Sequence, residues 1–103
     1  MIGKTLLAEI NEQIKYELYS SYLYLAMSAH FEEQNLGGFA KWMKIQAEEE
    51  KAHAMKFFGY VHDRGGKVEL KAIDAPPAKF GTPLEIFKQT LEHEQFVTDR
   101  INK

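Results

Sequence analysis

Glycine and proline interrupt regular backbone more readily than any other residues, and here they fall mostly into three short clusters. Asn35-Leu36-Gly37-Gly38 is one break, Gly65-Gly66 a second, and Pro76-Pro77 with Gly81-Thr82-Pro83 a third. The stretches between are rich in Leu, Ala, Glu, Lys, Met and Gln, all good helix formers. The spacing predicts one helix over about residues 4–34, a second over about 38–64, and a third from Pro83 to the end. Thr82 is placed to cap the third helix, Pro83 to open it and Glu85 to close a capping box. Gly65 suits the left-handed position that ends the second.

A length of 103 residues fits one domain, 1–103, and an all-α chain. With 45% hydrophobic and 27% charged residues, the chain reads as soluble and globular. A net charge of −2 offers no basic field for nucleic acid or an anionic membrane. No uncharged run approaches the ~20 residues of a membrane span, and Glu9 and Glu12 interrupt any signal-like segment. The expected location is the cytoplasm. The chain has no cysteine, which excludes disulfides, thiolate metal sites and cysteine nucleophiles together. Phosphate-binding glycine loops, HExxH and GxSxG are also missing.

The link over residues 65–82 is long for a connection without structure of its own. The second helix measures about 40 Å at 1.5 Å per residue, and an extended link of this size reaches about 60 Å. It can therefore return along the whole bundle, so that the third helix runs parallel to the second. Val68, Leu70 and Ile73 are expected to pin it. The short Asn-Leu-Gly-Gly turn makes the first two helices antiparallel neighbours.

Reading inner stripes at 4-3 spacing gives Leu7, Ile10, Ile14, Glu17, Ser21, Tyr24, Ser28 and Phe31 in the first helix. The second gives Phe39, Met43, Gln46, Glu50, His53, Phe57 and Tyr60, and the third Leu84, Phe87, Leu91, Glu94, Thr98 and Ile101. Each stripe holds one carboxylate where an apolar residue belongs: Glu17, Glu50 and Glu94. His53 follows Glu50 by one turn, on the same face. Buried carboxylates repel one another, and burial penalises their charge. No Lys or Arg occupies these stripes to balance them. A bound metal would, and carboxylates with one imidazole suit Fe, Mn or Zn. A lone Glu-x-x-His is more often a solvated pair; the coincidence of three broken stripes favours a metal. Tyr24 lies two turns beyond Glu17, as a core tyrosine or a neighbour of the site. His30, His62 and His93 fall off the stripes and are expected at the surface. Glu48 and Glu49 flank Glu50 and are expected in solvent or at the rim of the site.

The segments QIKYELYSSYLYLAM, GFAKWMKIQAEEEKAHAMKF, YVHDRGGKVEL and LEHEQFVT resemble bacterial and archaeal non-haem ferritins, along the whole chain. The resemblance implies a ferritin-like antiparallel four-helix bundle with a long crossover, of which this chain supplies the first two helices and most of the third. The rest of the third helix and the fourth are expected to be missing. It implies an iron-storage protein with ferroxidase activity. Glu17, Glu50 and His53 would hold one iron, and Glu50 and Glu94 a second. Tyr24 would sit beside this di-iron centre and Glu49 would serve an accessory third site. Fe(II) would be oxidised by dioxygen or peroxide and stored as ferric mineral in a homo-oligomeric cage of 24 subunits. Two other readings compete. A truncated helical oligomer could serve only as a scaffold or partial metal-binding module. A different di-iron protein is the other: the lack of cysteine argues against rubrerythrin, and Ala52 stands where bacterioferritin has its haem-ligating methionine.

Overall fold

The structure is a computed structural model that describes residues 2–101, the side chain of Ile101 excepted. Three helices account for its regular structure: α1 over Lys4–Glu33, α2 over Gly37–Asp63 and α3 over Pro83–Ile101. They form a rod 49 × 21 × 20 Å. Both internal helix ends close in the same way. At the end of α1, Asn35 takes φ 60° while its N–H bonds Glu32 O and the Leu36 N–H bonds Phe31 O. At the end of α2, Gly65 takes φ 74°, its N–H bonds His62 O and the Gly66 N–H bonds Val61 O. Two paired bonds of this kind satisfy the last carbonyls of a helix and turn the chain sharply. Gly66 has a further reason to be glycine, because a Cβ there would come within 3.0–3.1 Å of Ile2, Val61 and Leu7 side chains. The capping box of α3 forms as expected: Glu85 N–H donates to Thr82 Oγ1 at 3.2 Å, and Thr82 N–H to Glu85 Oε1 at 3.2 Å.

Contacts fix the directions. Ser28 donates to Ala40 O, Glu17 meets His53 and Ile2 N–H bonds Arg64 O, so α1 and α2 are antiparallel. Phe31 meets Phe87, Tyr24 meets Glu94 and Tyr16 meets Arg100, so α3 is antiparallel to α1 and parallel to α2. The all-α bundle with a long crossover is therefore present. The crossover is held mainly by a polar clamp. Asn11, buried on α1, donates through Nδ2 to Lys67 O at 3.2 Å and accepts from Glu69 N–H at 3.0 Å. Lys71 bonds Glu12 at 2.8 Å. Val68 packs on the bundle and Ile73 is half-buried, but Leu70 is 69% exposed and pins nothing.

The buried lines of the helices are shifted in phase from the expected stripes. α1 keeps Ile10, Ile14, Glu17, Tyr24, Ser28 and Phe31 inside, but Ser20 rather than Ser21 is buried. A straight helix drifts about 20° per heptad away from a strict seven-residue repeat. In α2 the inner line runs Ala40, Met43, Ala47, Glu50, Ala54, Val61, while Phe39 and His53 lie at the edge. The alanines let two backbones approach, and the bulkier residues flank that contact. Among the described residues of α3 the buried ones are Ile86, Thr90 and Val97, one position from the expected line, and the side chain of Ile101, also expected inside, lies outside the described residues. Leu84 and Leu91, expected inside, are 79% and 73% exposed. They lie on the side of α3 away from its buried face.

The core has two apolar halves. One gathers Leu23, Tyr24, Met27, Phe31, Ala40, Met43, Ala47 and Ile86. The other gathers Ile10, Ile14, Ala54 and Val61. The chain positions between these halves, Glu17 on α1 and Glu50 on α2, carry the buried acids.

Candidate metal centre

Glu17 and Glu50 are 1% and 4% exposed. Their helices put them there because each occupies a core position one turn from an apolar neighbour, Ile14 before Glu17 and Ala47 before Glu50. His53 reaches in from the edge of α2, its side chain half exposed. Its Nδ1 stands 3.1 Å from Glu17 Oε2 and 3.5 Å from Glu50 Oε2. Ligand atoms of all three lie within 4.8 Å of one another. Among the described residues, neither Glu17 nor Glu50 pairs with a lysine or arginine. A cleft of about 290 Å³ lined by Glu17, His53, Lys56 and Phe57 connects this point to solvent.

Glu94 approaches from α3. Its Oε1 accepts a 2.6 Å hydrogen bond from the Tyr24 hydroxyl. Burial, then the adjoining carboxyls of Glu17 and Glu94, push the Glu50 carboxyl from 4.5 up to about 9. Burial and the bond to Glu94 also hold the Tyr24 phenol far above its ordinary value, so it stays a donor. The metal-free cluster thus keeps a proton that water would remove from an ordinary glutamic acid. A divalent cation would take the place of that proton. Two buried carboxylates and an imidazole nitrogen on one point form a mixed oxygen–nitrogen donor set suited to iron, manganese or zinc.

Glu17, Glu50 and His53 are brought together, and Glu94 with Tyr24 adjoins them. Glu49 stands apart: it is exposed and lines a shallow groove on the outside of α2 with Lys41, Lys44, Ile45, Glu48 and Ala52. Two of the three histidines expected at the surface are not there. His30 is half-buried against Phe80. His93 is half-buried between Tyr19 and Tyr24, with Nε2 2.6 Å from Ser20 Oγ. Since that hydroxyl donates to Tyr16 O at 2.8 Å, it accepts from His93, which puts the ring proton on Nε2. Burial lowers the His93 pKa. Gln13, which lies off the expected stripe of α1, is also part of the site. It is buried and donates from Nε2 to Glu17 Oε1 at 3.1 Å. Its signal was available in the chain, since residues four apart share a helix face.

Fold and donor set define a carboxylate-lined helical bundle. The Ferritin-like domain family model matches residues 7–103. The chain belongs to the ferritin family. It is 45% identical over 102 residues to a bacterial non-heme ferritin of Bacteroides fragilis (strain 638R), an alignment covering 99% of this chain and 64% of that protein. It is 39% identical over 100 residues to that of Staphylococcus aureus (strain USA300), covering 97% of this chain and 60% of that one. The open pore ferritin of the hyperthermophilic archaeon Archaeoglobus fulgidus superposes with a TM-score of 0.96 at 44% identity, covering 99% of this chain and 63% of that one. The chain therefore spans less than two thirds of the length of these relatives. No helix among the described residues is long and apolar enough to cross a membrane.

Proposed function

We propose that this protein takes up Fe(II) as its substrate, oxidises it at the cluster of Glu17, Glu50, His53 and Glu94, and stores the ferric product as mineral within a homo-oligomeric cage of 24 subunits in the cytoplasm. The observation that carries the reading is the pair of buried carboxyls, Glu17 and Glu50, facing His53 with no lysine or arginine paired to them among the described residues. Taking an unpaired carboxylate out of water costs several kcal/mol. Retaining two at one point makes physical sense if a cation recovers that energy on binding.

The roles follow from position. Glu17 and His53 offer an oxygen and a nitrogen to one ion. Glu50, which lies between Glu17 and Glu94, is proposed as a ligand common to both ions, and Glu94 as a ligand of the second. Each Fe(II) gives up one electron. Two of them reduce one dioxygen to hydrogen peroxide, with two protons taken from water or the protein. Tyr24 holds Glu94 through its phenolic proton. Glu49, exposed on the outer groove of α2 and apart from the cluster, is proposed for an accessory iron site. Residues 1–103 are assigned to one ferritin-like domain, to which they contribute three helices. Support comes from the named relatives, which are bacterial non-heme ferritins.

Anaerobic Fe(II) titration followed by oxygen tests the reading. About two irons should oxidise rapidly per complete bundle, and Glu50→Ala should abolish that phase. An unchanged rate in Glu50→Ala would remove the ferroxidase assignment. A second reading, a non-enzymatic helical scaffold, is favoured by the exposed Leu84, Leu91 and Trp42. It expects association without any metal-dependent rise in melting temperature.

A further inference from the structure

Glu17 has two oxygens, and the structure gives them different partners. Oε2 faces His53 Nδ1 at 3.1 Å, on the side of the acidic cluster. Oε1 accepts from Gln13 Nε2 at 3.1 Å. Gln13 is buried at 7% exposure, one turn before Glu17 on α1. Its amide has donors that an apolar residue of the same size would lack, and an ionised carboxylate can only accept. A buried amide donor left without a partner is costly, so the bond to Oε1 resists being broken when Glu17 changes partners. Glu94 likewise has its Oε1 engaged, by the Tyr24 hydroxyl.

We propose that Gln13 is a positioning residue for metal uptake: by occupying Oε1 of Glu17, it makes Oε2 the single oxygen this carboxylate presents to an incoming cation. The inference rests on the metal reading of the cluster and extends it to how one ligand binds. A carboxylate free to rotate can clasp a metal with both oxygens. Such a clasp would draw the first ion toward α1, away from His53 and Glu50. With Oε1 occupied, Glu17 binds end-on, and the ion stays where Glu50 and His53 also reach it. An amide suits this task better than a lysine, because a lysine would neutralise the charge that attracts the cation.

Cobalt(II) is the probe, since its visible d–d bands weaken as coordination number rises. Gln13→Met keeps the volume and removes the donor. This variant should bind Co(II) about 10- to 100-fold more weakly than the unsubstituted protein, the range seen when partners of metal ligands are removed. Its d–d bands should also lose intensity as Glu17 becomes two-toothed. The same change made in a Glu17→Gln background should have little further effect, because the ligand through which Gln13 acts is gone. Circular dichroism melts of the metal-free variants separate these effects from unfolding. Unchanged affinity and bands in Gln13→Met, or an equal loss in both backgrounds, would overturn the role of Gln13 while leaving the metal site standing. Failure of the unsubstituted protein to bind Co(II) would overturn the metal reading, and this inference with it.

Discussion

Replacing Glu50 with glutamine should make the metal-free protein more stable at neutral pH, although it removes a proposed ligand. In the folded chain burial, followed by Glu17 and Glu94, raises the Glu50 carboxyl from 4.5 to about 9. A carboxyl whose folded pKa lies above its unfolded value contributes stability that is fully present below pH 4.5. That stability is lost progressively as pH rises toward 9, because the unfolded chain releases the proton and the folded chain keeps it. At 1.36 kcal/mol per pH unit, the 2.5 units between 4.5 and 7 set a ceiling of about 3 kcal/mol. Water reaching the cluster through the cleft at His53 reduces the expected effect to about 2 kcal/mol. Glutamine keeps the shape and the donor of the protonated acid and cannot ionise. Glu50→Gln should therefore melt about 8–16 °C higher than the unsubstituted protein at pH 7, at 4–8 °C per kcal/mol for a domain of this size. The gap should close near pH 4. Saturating Co(II) should reverse the order, because a ligand at 100 times its Kd stabilises only the protein that binds it, by about 2.7 kcal/mol. The assay is thermal unfolding by circular dichroism at pH 4, 7 and 9, with and without metal. A variant less stable than the parent at pH 7 without metal, or a gap independent of pH, would refute the reasoning.

Three further outcomes follow from the geometry. Tyr24→Phe keeps the ring and deletes the donor to Glu94; it should slow oxidation of bound Fe(II) in stopped-flow absorbance while leaving the number of ions bound at equilibrium unchanged. Asn11→Ala removes both bonds of the clamp on the crossover, each worth about 1 kcal/mol; urea unfolding should show a loss of about 2 kcal/mol, and limited proteolysis should cut first near residues 67–71. Thr82→Ala breaks the capping box of α3 and should cost about 1 kcal/mol in the same unfolding assay.

The helix ends were legible because local chemistry decides them. Gly65 adopts a conformation that few other residues tolerate, and Thr82, Pro83 and Glu85 form a self-contained cap. The acids at 17, 50 and 94 were legible because each breaks an apolar stripe. What the chain hid was the phase of α2 and α3. Large side chains drew the reading toward Phe39, Leu84 and Leu91, whereas close approach is set by Ala40, Ala47 and Ala54 on α2 and by Ile86, Thr90 and Val97 on α3. Which side of a large residue meets a neighbour depends on helix separation, and no single helix encodes that. The roles of His93 and Asn11 were hidden for a related reason. Their partners lie 73 and at least 56 positions away, and a polar residue off the apolar stripe carries no mark of them.

Cations sitting among the buried carboxyls would give this bundle its function. Anomalous diffraction at the iron edge, from crystals exposed to Fe(II) without oxygen, tests this most directly. The expected result is iron within coordination distance of Glu17 and Glu50 carboxylate oxygens and of His53 Nδ1, with a second peak between Glu50 and Glu94. Peaks confined to exposed acids such as Glu48, or density showing Glu17 and Glu50 engaged with protein groups alone in saturating Fe(II), would contradict it.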